Sequence, residues 1–234
     1  MRKFVLFIII AIILPAFAYE VYTPENYYLK NDSENILFVV DFSNSMSEYF
    51  EHKKKTDSVK TVLNNILPQL PSNIKAGLRV YGHTCNVLAF NACKSSELLV
   101  PISDNNNQKI SSAISNLKPK GMTPITYSLK QAVNKDFSNI KGNKRIILLT
   151  DGGENCDISP CEYSISLMKT RRDINIDVIA FNVEDSDDLA QLKCTADVTG
   201  GRFIKADTNA QLLQSMNDLL IPFKKVEALI LQNN

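Results

Sequence analysis

Residues 36–45 read ILFVVDFSNS, and they are the most informative stretch of the chain. Its short apolar run is typical of a strand that is buried on both faces of a parallel sheet. The run ends at Asp41, and Ser43 and Ser45 follow at alternate positions on the loop at the carboxyl end of the strand. Because these three residues alternate, their oxygen atoms can converge on one side of a short loop. Hard oxygen ligands gathered in this way suit Mg²⁺, Mn²⁺ or Ca²⁺.

Outward from this stretch, strand-like and helix-like segments alternate along the chain. The strand candidates are short and rich in Ile, Leu and Val, and they lie at 36–41, 76–81, 97–102, 144–150, 175–181 and 201–205. The helix candidates carry apolar residues at spacings of three and four, and they lie at 59–66, 110–117, 125–133, 189–196 and 212–220. Ser159 followed by Pro160 predicts one more helix start, with the serine as N-cap and the proline at the first helical position.

This alternation predicts a Rossmann-like, doubly wound α/β fold, in which a mostly parallel central sheet carries helices on both faces. The strands at 76–81 and 97–102 are joined by a loop without a helical pattern, which predicts one antiparallel strand at a sheet edge. Ligands of open α/β sheets bind beyond the carboxyl ends of the strands. The loops that begin at Asp41 and at Asp151 both lie at such ends.

Residues 1–18 predict a secretory signal peptide. Arg2 and Lys3 form its positive region, residues 4–14 its apolar stretch, and residues 16–18 a small-residue cleavage site. The apolar stretch is shorter than the ~20 residues that span a bilayer, which favours a cleaved signal over an uncleaved anchor. We therefore expect an exported protein, periplasmic or secreted, with no stable membrane span after cleavage.

The rest of the chain divides into a flexible lead-in at 19–35, one domain at 36–220 and a solvated C-terminal tail at 221–234. Removal of the signal peptide takes away two basic residues and no acidic one, so the formal net charge falls from +1 to −1. A balance this close to neutral disfavours nucleic acid or an anionic membrane surface as the main partner.

The five cysteines predict disulfides, because export leads to an oxidising compartment. Cys85 and Cys93 bracket the loop of the edge hairpin, and Cys156 and Cys161 bracket a later loop. The favoured bridges are therefore 85–93 and 156–161, and Cys194 can replace one of these partners. The second bridge would stiffen the loop that follows Asp151.

Three motifs resemble the metal-ion-dependent adhesion site (MIDAS) of the von Willebrand factor type A domain. They are DFSNS at 41–45, GMTP at 121–124 and TDG at 150–152. The resemblance covers about residues 36–220. The segments RVYGH at 79–83, ELLVP at 97–101 and TGGRF at 199–203 extend it and resemble a bacterial exported branch of this family.

The resemblance implies a metal site made of Asp41, Ser43, Ser45, Thr123 and Asp151, each of which has the expected residue type. In the family, the two serines and either the threonine or the second aspartate bind the ion directly, and the remaining groups act through water. Two carboxylates and neutral hydroxyls leave Mg²⁺, or Mn²⁺ or Ca²⁺, able to accept one more anionic oxygen. The implied function is to bind a protein partner that offers an Asp or Glu carboxylate.

Each of these residues also has an ordinary structural interpretation when taken alone. Asp and Ser commonly cap helices and build turns, Thr123 before Pro124 is a possible helix N-cap, and Asp151 with Gly152 is typical of a solvated turn. Their joint occurrence, in this order and after two apolar strands, favours the metal site.

Several nearby polar residues are expected to have no role in the site. We expect Glu154, Asp157 and the lysine run 53–55 to face water. His83 and Cys85, with Cys93, form a possible zinc site that export disfavours, because it favours disulfides. We expect His83 to orient a loop and His52 to be solvated.

An enzyme is the rival interpretation. A metal-dependent phosphotransfer hydrolase of the haloacid-dehalogenase kind also places an Asp after its first strand and an acid in a later Asp-Gly turn. That chemistry needs a second acid two positions after the nucleophilic Asp, to protonate the leaving group. Ser43 stands there and cannot do this at neutral pH, so we expect no enzyme activity. The third alternative is a structural domain with a non-functional metal site.

Overall fold

The computed structural model describes residues 34–84 and 89–220, without the side chains of residues 89–91. The predicted signal peptide, the predicted tail, Cys85 and all but the last two residues of the predicted lead-in lie outside this part of the chain. Those last two residues, Glu34 and Asn35, belong to the first strand, which begins two residues earlier than predicted.

Six of the eight strands in residues 34–84 and 89–220 form one central sheet, in the order β5-β4-β1-β6-β7-β8. Neighbouring strands run parallel, except for β5, which pairs antiparallel with β4 at the edge. The remaining two, β2 and β3, form a separate short hairpin that the sequence pattern did not predict. The strands are β1 Glu34–Asp41, β2 Tyr49–Phe50, β3 Lys53–Lys54, β4 Ile74–Tyr81, β5 Ser96–Ser103, β6 Lys144–Thr150, β7 Ile174–Phe181 and β8 Phe203–Ala206.

In the part of the chain that the structure describes, six α-helices cover the sheet, and all six were predicted from the sequence. They are α1 Lys55–Ile66, α2 Asn107–Ser115, α3 Ile125–Gln131, α4 Pro160–Leu167, α5 Ser186–Val198 and α6 Asn209–Leu220. Short 3-10 turns lie at Asn44–Ser47, Leu67–Gln69 and Ala89–Lys94, and a π-helical turn at Ala132–Asp136 continues α3. Ser159 caps α4 as predicted, because its hydroxyl accepts the Cys161 N–H at 3.2 Å.

Two apolar cores lie on opposite faces of the sheet. Ile36, Phe38 and Val40 of β1 belong to the core shared with α1, α2 and α6. Leu37 and Val39 belong to the core shared with α3, α4 and α5. All five side chains are fully buried, and each contributes about 1.5–3 kcal/mol of burial free energy. The predicted doubly wound α/β sheet with one antiparallel edge strand is confirmed.

The position of β1 in the sheet determines where the candidate site lies. The chain adds β4 and β5 on one side of β1 and then returns to its other side with β6, β7 and β8. The strand order therefore reverses between β1 and β6, and the crevice at such a reversal is where open α/β sheets bind ligands. Asp41 ends β1 and Thr150 ends β6, so the loops after both strands leave at this point.

The first strand and the last helix meet at the opposite pole of the sheet. The Arg145 guanidinium, at the start of β6, donates to the Glu34 carboxylate at 3.1 Å and to the Leu219 carbonyl at 2.9 Å. Both ends of the described domain are therefore held together there, away from Asp41 and Thr150. Within the described ranges, no helix is long and apolar enough to cross a membrane.

Candidate metal centre

Four of the five predicted site residues form one hydrogen-bonded chain. The Ser43 N–H donates to Asp41 Oδ1 at 2.6 Å, the hydroxyls of Ser43 and Ser45 are 3.1 Å apart, and the Ser45 hydroxyl donates to Asp151 Oδ1 at 2.7 Å. Since the single proton of Ser45 goes to Asp151, Ser43 is the donor to Ser45. With this assignment, Ser43 keeps both lone pairs and Ser45 keeps one at the reversal between β1 and β6.

Thr123, the fifth residue, reaches this cluster through the backbone. Ser43 pairs with Gly121 in an isolated parallel bridge, and the Asn44 N–H donates to the Gly121 carbonyl at 2.9 Å. The Thr123 hydroxyl itself accepts from the Asn155 side-chain amide at 3.3 Å. It does not cap α3, because the N-cap residue of that helix is Pro124 and the Thr126 N–H donates to the Glu154 carboxylate at 2.6 Å.

Gly82 allows the loops around the cluster to approach one another. Its φ of +70° lies in the left-handed region, and a Cβ atom there would lie 2.5 Å from the Ser43 nitrogen. The Gly82 carbonyl accepts the Lys120 N–H at 3.0 Å and the Gly121 N–H at 2.7 Å. A glycine at the end of β4 therefore joins the first loop to the loop that carries Thr123.

The Asp41 carboxylate is fully buried and lies in an unfavourable electrostatic environment. Burial, together with the negative charge of Asp151, raises the pKa of Asp41 from 3.8 to about 7. Hydrogen bonds from Ser43 and from the Thr150 hydroxyl, which lies 2.7 Å from Asp41 Oδ2, oppose this rise only in part. A cation between the two carboxylates would relieve their repulsion.

The Tyr81 side chain is a second sign of incomplete polar pairing at this point. Its hydroxyl is buried and has no hydrogen-bond partner within the described part of the chain. Burial, followed by the negative charge of Asp41, raises the pKa of Tyr81 well above 10.0. Tyr81 therefore stays neutral and provides a spare donor beside Asp41. The sequence did not reveal this role, because a tyrosine at the end of an apolar strand does not indicate that its hydroxyl lies beside a buried carboxylate.

Lys55 lies inside the site, and the prediction that the lysine run 53–55 faces water is wrong at this residue. Its side chain is 7% exposed, and its ammonium donates to Asp151 Oδ2 at 2.9 Å and to Glu48 at 3.1 Å. Burial lowers the pKa of Lys55, but the hydrogen bond and charge of Asp151, followed by those of Glu48, outweigh burial and raise it. Lys54, in contrast, is exposed as predicted.

Glu154 is also not the solvated side chain that was expected. Its carboxylate accepts the N–H of Thr126 at 2.6 Å, of Cys156 at 2.7 Å and of Asp157 at 3.1 Å. It therefore caps the start of α3 from a different loop and fixes the segment beside Thr123. Asp157 is exposed, as predicted.

The disulfide pairing differs from both favoured bridges. Cys93 is bonded to Cys156, and Cys161 is bonded to Cys194. The favoured pairs were chosen because they close short loops, whereas the fold brings together cysteines from different loops. Packing of α4 against α5 places Cys161 beside Cys194.

The zinc alternative does not fit the structure, because Cys93 belongs to a disulfide and cannot supply a thiolate. The His83 ring lies 3.1 Å from the Glu97 carboxylate, which holds the loop after β4. His52 is exposed, as predicted. Residues 34–84 and 89–220 contain no cluster of three or more His, Cys, Asp or Glu side chains suited to a metal ion.

The donor set of the predicted site fits a hard divalent ion. It consists only of carboxylate and hydroxyl oxygens, which suit Mg²⁺, Mn²⁺ and Ca²⁺ better than soft metals. Burial of Asp41 and its repulsion with Asp151 also favour a positive charge at this point, part of which Lys55 already supplies to Asp151.

Comparison with known proteins gives relatives of similar length and structures of similar fold. The uncharacterized proteins YwmC and YwmD of Bacillus subtilis (strain 168) are 28% and 27% identical to this chain. The alignments cover 74% of this chain and 77% of YwmC, and 88% of this chain and 89% of YwmD.

One similar structure is proximal thread matrix protein 1 from the mussel byssus with a zinc-occupied MIDAS motif. It is 20% identical, with a TM-score of 0.60, over 81% of this chain and 45% of that chain. At this identity the likeness shows the fold alone, and this chain spans less than half of that protein. The model of the von Willebrand factor type A domain matches residues 35–219. The chain therefore belongs to the von Willebrand factor type A domain family.

Proposed function

We propose that this chain is an exported, non-enzymatic module that binds a partner protein through a divalent ion at a complete MIDAS. The single observation that carries the proposal is the hydrogen-bonded cluster of Asp41, Ser43, Ser45 and Asp151 at the reversal of the strand order. The family is one of metal-dependent protein interaction and adhesion, which supports the same function.

Each residue has a defined task in this proposal. Ser43 and Ser45 offer neutral oxygens, Asp41 and Asp151 supply the negative charge, and Thr123 completes the set from its own loop. When bound, Mg²⁺, or Mn²⁺ or Ca²⁺, supplies a positive centre with an open position for a carboxylate oxygen. The Ser45 hydroxyl donates to Asp151 Oδ1, 2.7 Å away, so this serine would offer a bound ion a lone pair and not its proton.

The proposed partner is a protein that presents an Asp or Glu side chain at the mouth of the site. Two carboxylates and neutral hydroxyls leave a bound divalent ion only partly neutralised, so an anionic oxygen is the favoured last ligand.

The absence of an acid at position 43 argues against a phosphotransfer hydrolase.

Export is proposed from the signal-like residues 1–18 and from the two disulfides, which form and persist in oxidising compartments. In this proposal the mature chain begins at Tyr19, and residues 36–220 are the binding domain between a lead-in and a tail. The compartment is the periplasm or the medium.

Calorimetric titration of the mature chain with Mg²⁺, Mn²⁺ and Ca²⁺ tests the metal site. We expect saturable binding by the wild-type protein and its loss in Asp41→Ala. The matched control is Asp187→Ala, which removes an exposed carboxylate on α5 and should leave binding unchanged. Equal heats for the wild-type protein and Asp41→Ala would show that the cluster is not a metal site.

Pull-down with immobilised peptides tests the partner chemistry. Each peptide of a random-sequence library carries either one Glu or a Gln in its place, and retention is measured with Mg²⁺ and with EDTA. The proposal expects Mg²⁺-dependent retention of Glu peptides by the wild-type protein, and neither retention of Gln peptides nor retention by Asp41→Ala. Retention that is the same in EDTA would contradict binding through the ion.

A further inference from the structure

Lys55 provides an internal positive charge at the candidate metal centre. Its ammonium lies 2.9 Å from Asp151 Oδ2, and the two side chains are 7% and 0% exposed. The pairing joins the start of α1 to the loop after β6, across 96 positions of sequence. Water is largely excluded from this pair, so its electrostatic interaction is stronger than that of a surface pair.

The second partner of the ammonium, Glu48, does not cancel this charge. It lies 3.1 Å from Lys55, but its side chain is 65% exposed, so water and salt screen it. Glu48 therefore neutralises the charge of Lys55 only weakly within the site. Glu48 offers the ammonium an alternative partner toward solvent when Asp151 is drawn toward another cation.

We propose that Lys55 competes with the divalent ion for Asp151 and thereby lowers the affinity of the site for that ion. This inference rests on the proposed function, because it concerns the same centre. With Lys55 in place, the charge of Asp151 is already balanced, and an incoming divalent ion meets a neighbouring positive charge. Because like charges repel strongly where water is excluded, the ion binds less tightly than the two carboxylates alone would hold it.

The test removes the positive charge of Lys55 and keeps a hydrogen-bond donor at this position. In Lys55→Gln, we expect the calorimetric Kd for Mn²⁺ to fall by about tenfold relative to the wild-type protein. In Lys55→Arg the charge remains, and the Kd should stay within about twofold of the wild-type value. The matched control is Lys54→Gln, which removes the exposed neighbouring lysine and should leave the Kd unchanged.

A second readout is the melting temperature, which is measured first without the ion and then with it. In EDTA, Lys55→Gln should melt at a lower temperature than the wild-type protein and Lys54→Gln, because Asp151 loses its internal partner. Saturating Mn²⁺ should raise the melting temperature of Lys55→Gln by more than that of the wild-type protein.

The outcomes separate the two hypotheses. If the wild-type protein binds Mn²⁺ and Lys55→Gln binds it equally or more weakly, Lys55 does not compete with the ion. The proposed metal site is unaffected by that result. Equal tightening by Lys55→Arg also overturns the competition by Lys55, because the charge is then not the cause. If the wild-type protein and Lys55→Gln both fail to bind Mn²⁺, Mg²⁺ and Ca²⁺, the proposed function fails and the inference fails with it.

Discussion

Among single residues, Asp41 is buried at a cost to the fold, at a position where we propose that an ion binds. Its carboxylate is completely buried at the end of β1, and only hydroxyl and backbone donors contact it directly. A carboxylate without a cationic partner is costly to bury. The structure tolerates this cost at the position where the predicted ion would bind, which is typical of functional sites.

The raised pKa of Asp41 predicts the pH dependence of stability in EDTA. The folded protein keeps the Asp41 proton up to about pH 7, whereas the unfolded chain releases it near 3.8. This stabilising contribution is therefore present at low pH and lost as the pH rises through 7. We expect the free energy of unfolding by urea to fall by roughly 2–3 kcal/mol between pH 5 and pH 8 because of this group.

The Asp41→Asn variant isolates this contribution. It should lack that part of the pH dependence and exceed the wild-type stability at pH 8 in EDTA, whereas Asp187→Asn should behave like the wild-type protein. The expected role of the buried carboxylate would be refuted if the free energy of unfolding of the wild-type protein did not change between pH 5 and pH 8. It would also be refuted if this free energy rose by the same amount as that of Asp41→Asn.

At the same scale, sequence reasoning found the predicted ligands but not the residues around them. Asp41, Ser43 and Ser45 follow an apolar run at a regular spacing, which is a local signal. The burial of Lys55 depends on Asp151, and the role of Glu154 depends on the N–H groups at the start of α3. Such partners become neighbours only when the sheet forms, so a pattern along the chain does not reveal them.

At the scale of elements, the site depends on close contact between loops that leave neighbouring strands. Gly82, at the end of β4, contacts the Ser43 segment and accepts hydrogen bonds from Lys120 and Gly121. The geometry of this junction is set by backbone atoms, which cannot relax as a flexible side chain does.

Gly82→Ala should therefore destabilise the domain by roughly 2 kcal/mol or more, because a Cβ atom meets backbone and the φ of +70° is strained. The Kd for Mn²⁺ should also rise, because the Ser43 loop is displaced. Gly152→Ala is the control, since a Cβ atom there meets nothing within 4 Å. Urea unfolding measures both variants, and equal stability of the two would contradict the role of Gly82.

The elements themselves were largely predictable because their signals are local. Strands such as β1 and β6 are continuous apolar runs, and helices such as α1 carry an apolar stripe. The β2–β3 hairpin was missed because its strands have two residues each, too few to show a period. Its turn residues Glu51 and His52 adopt positive φ without a glycine that would have marked the turn.

At the scale of the molecule, the two disulfides tie together parts of the chain that the sequence order keeps apart. Cys93–Cys156 joins the segment before β5 to the loop after β6, and Cys161–Cys194 joins α4 to α5. The first bridge spans 63 positions and the second 33. Pairing over such distances cannot be chosen from cysteine spacing alone.

Peptide mapping without reduction should recover these two linkages from the purified, oxidised protein. The double variant Cys161→Ser with Cys194→Ser should lose roughly 3–4 kcal/mol of unfolding free energy, because the unfolded chain regains the entropy of a long loop. Ser166→Ala, an exposed change on the same helix, serves as the control for urea unfolding. Recovery of a Cys156–Cys161 linkage would contradict the pairing described here.

The hydrogen bonds from Arg145 to Glu34 and to Leu219 have a practical consequence for attaching the domain to a support. Because Glu34 and Leu219 lie together at this pole, a bead or a fused protein joined directly at residue 34 or residue 220 would sit at the pole opposite Asp41 and Thr150. Domains grafted through either of these two positions would keep the two serines clear of the support.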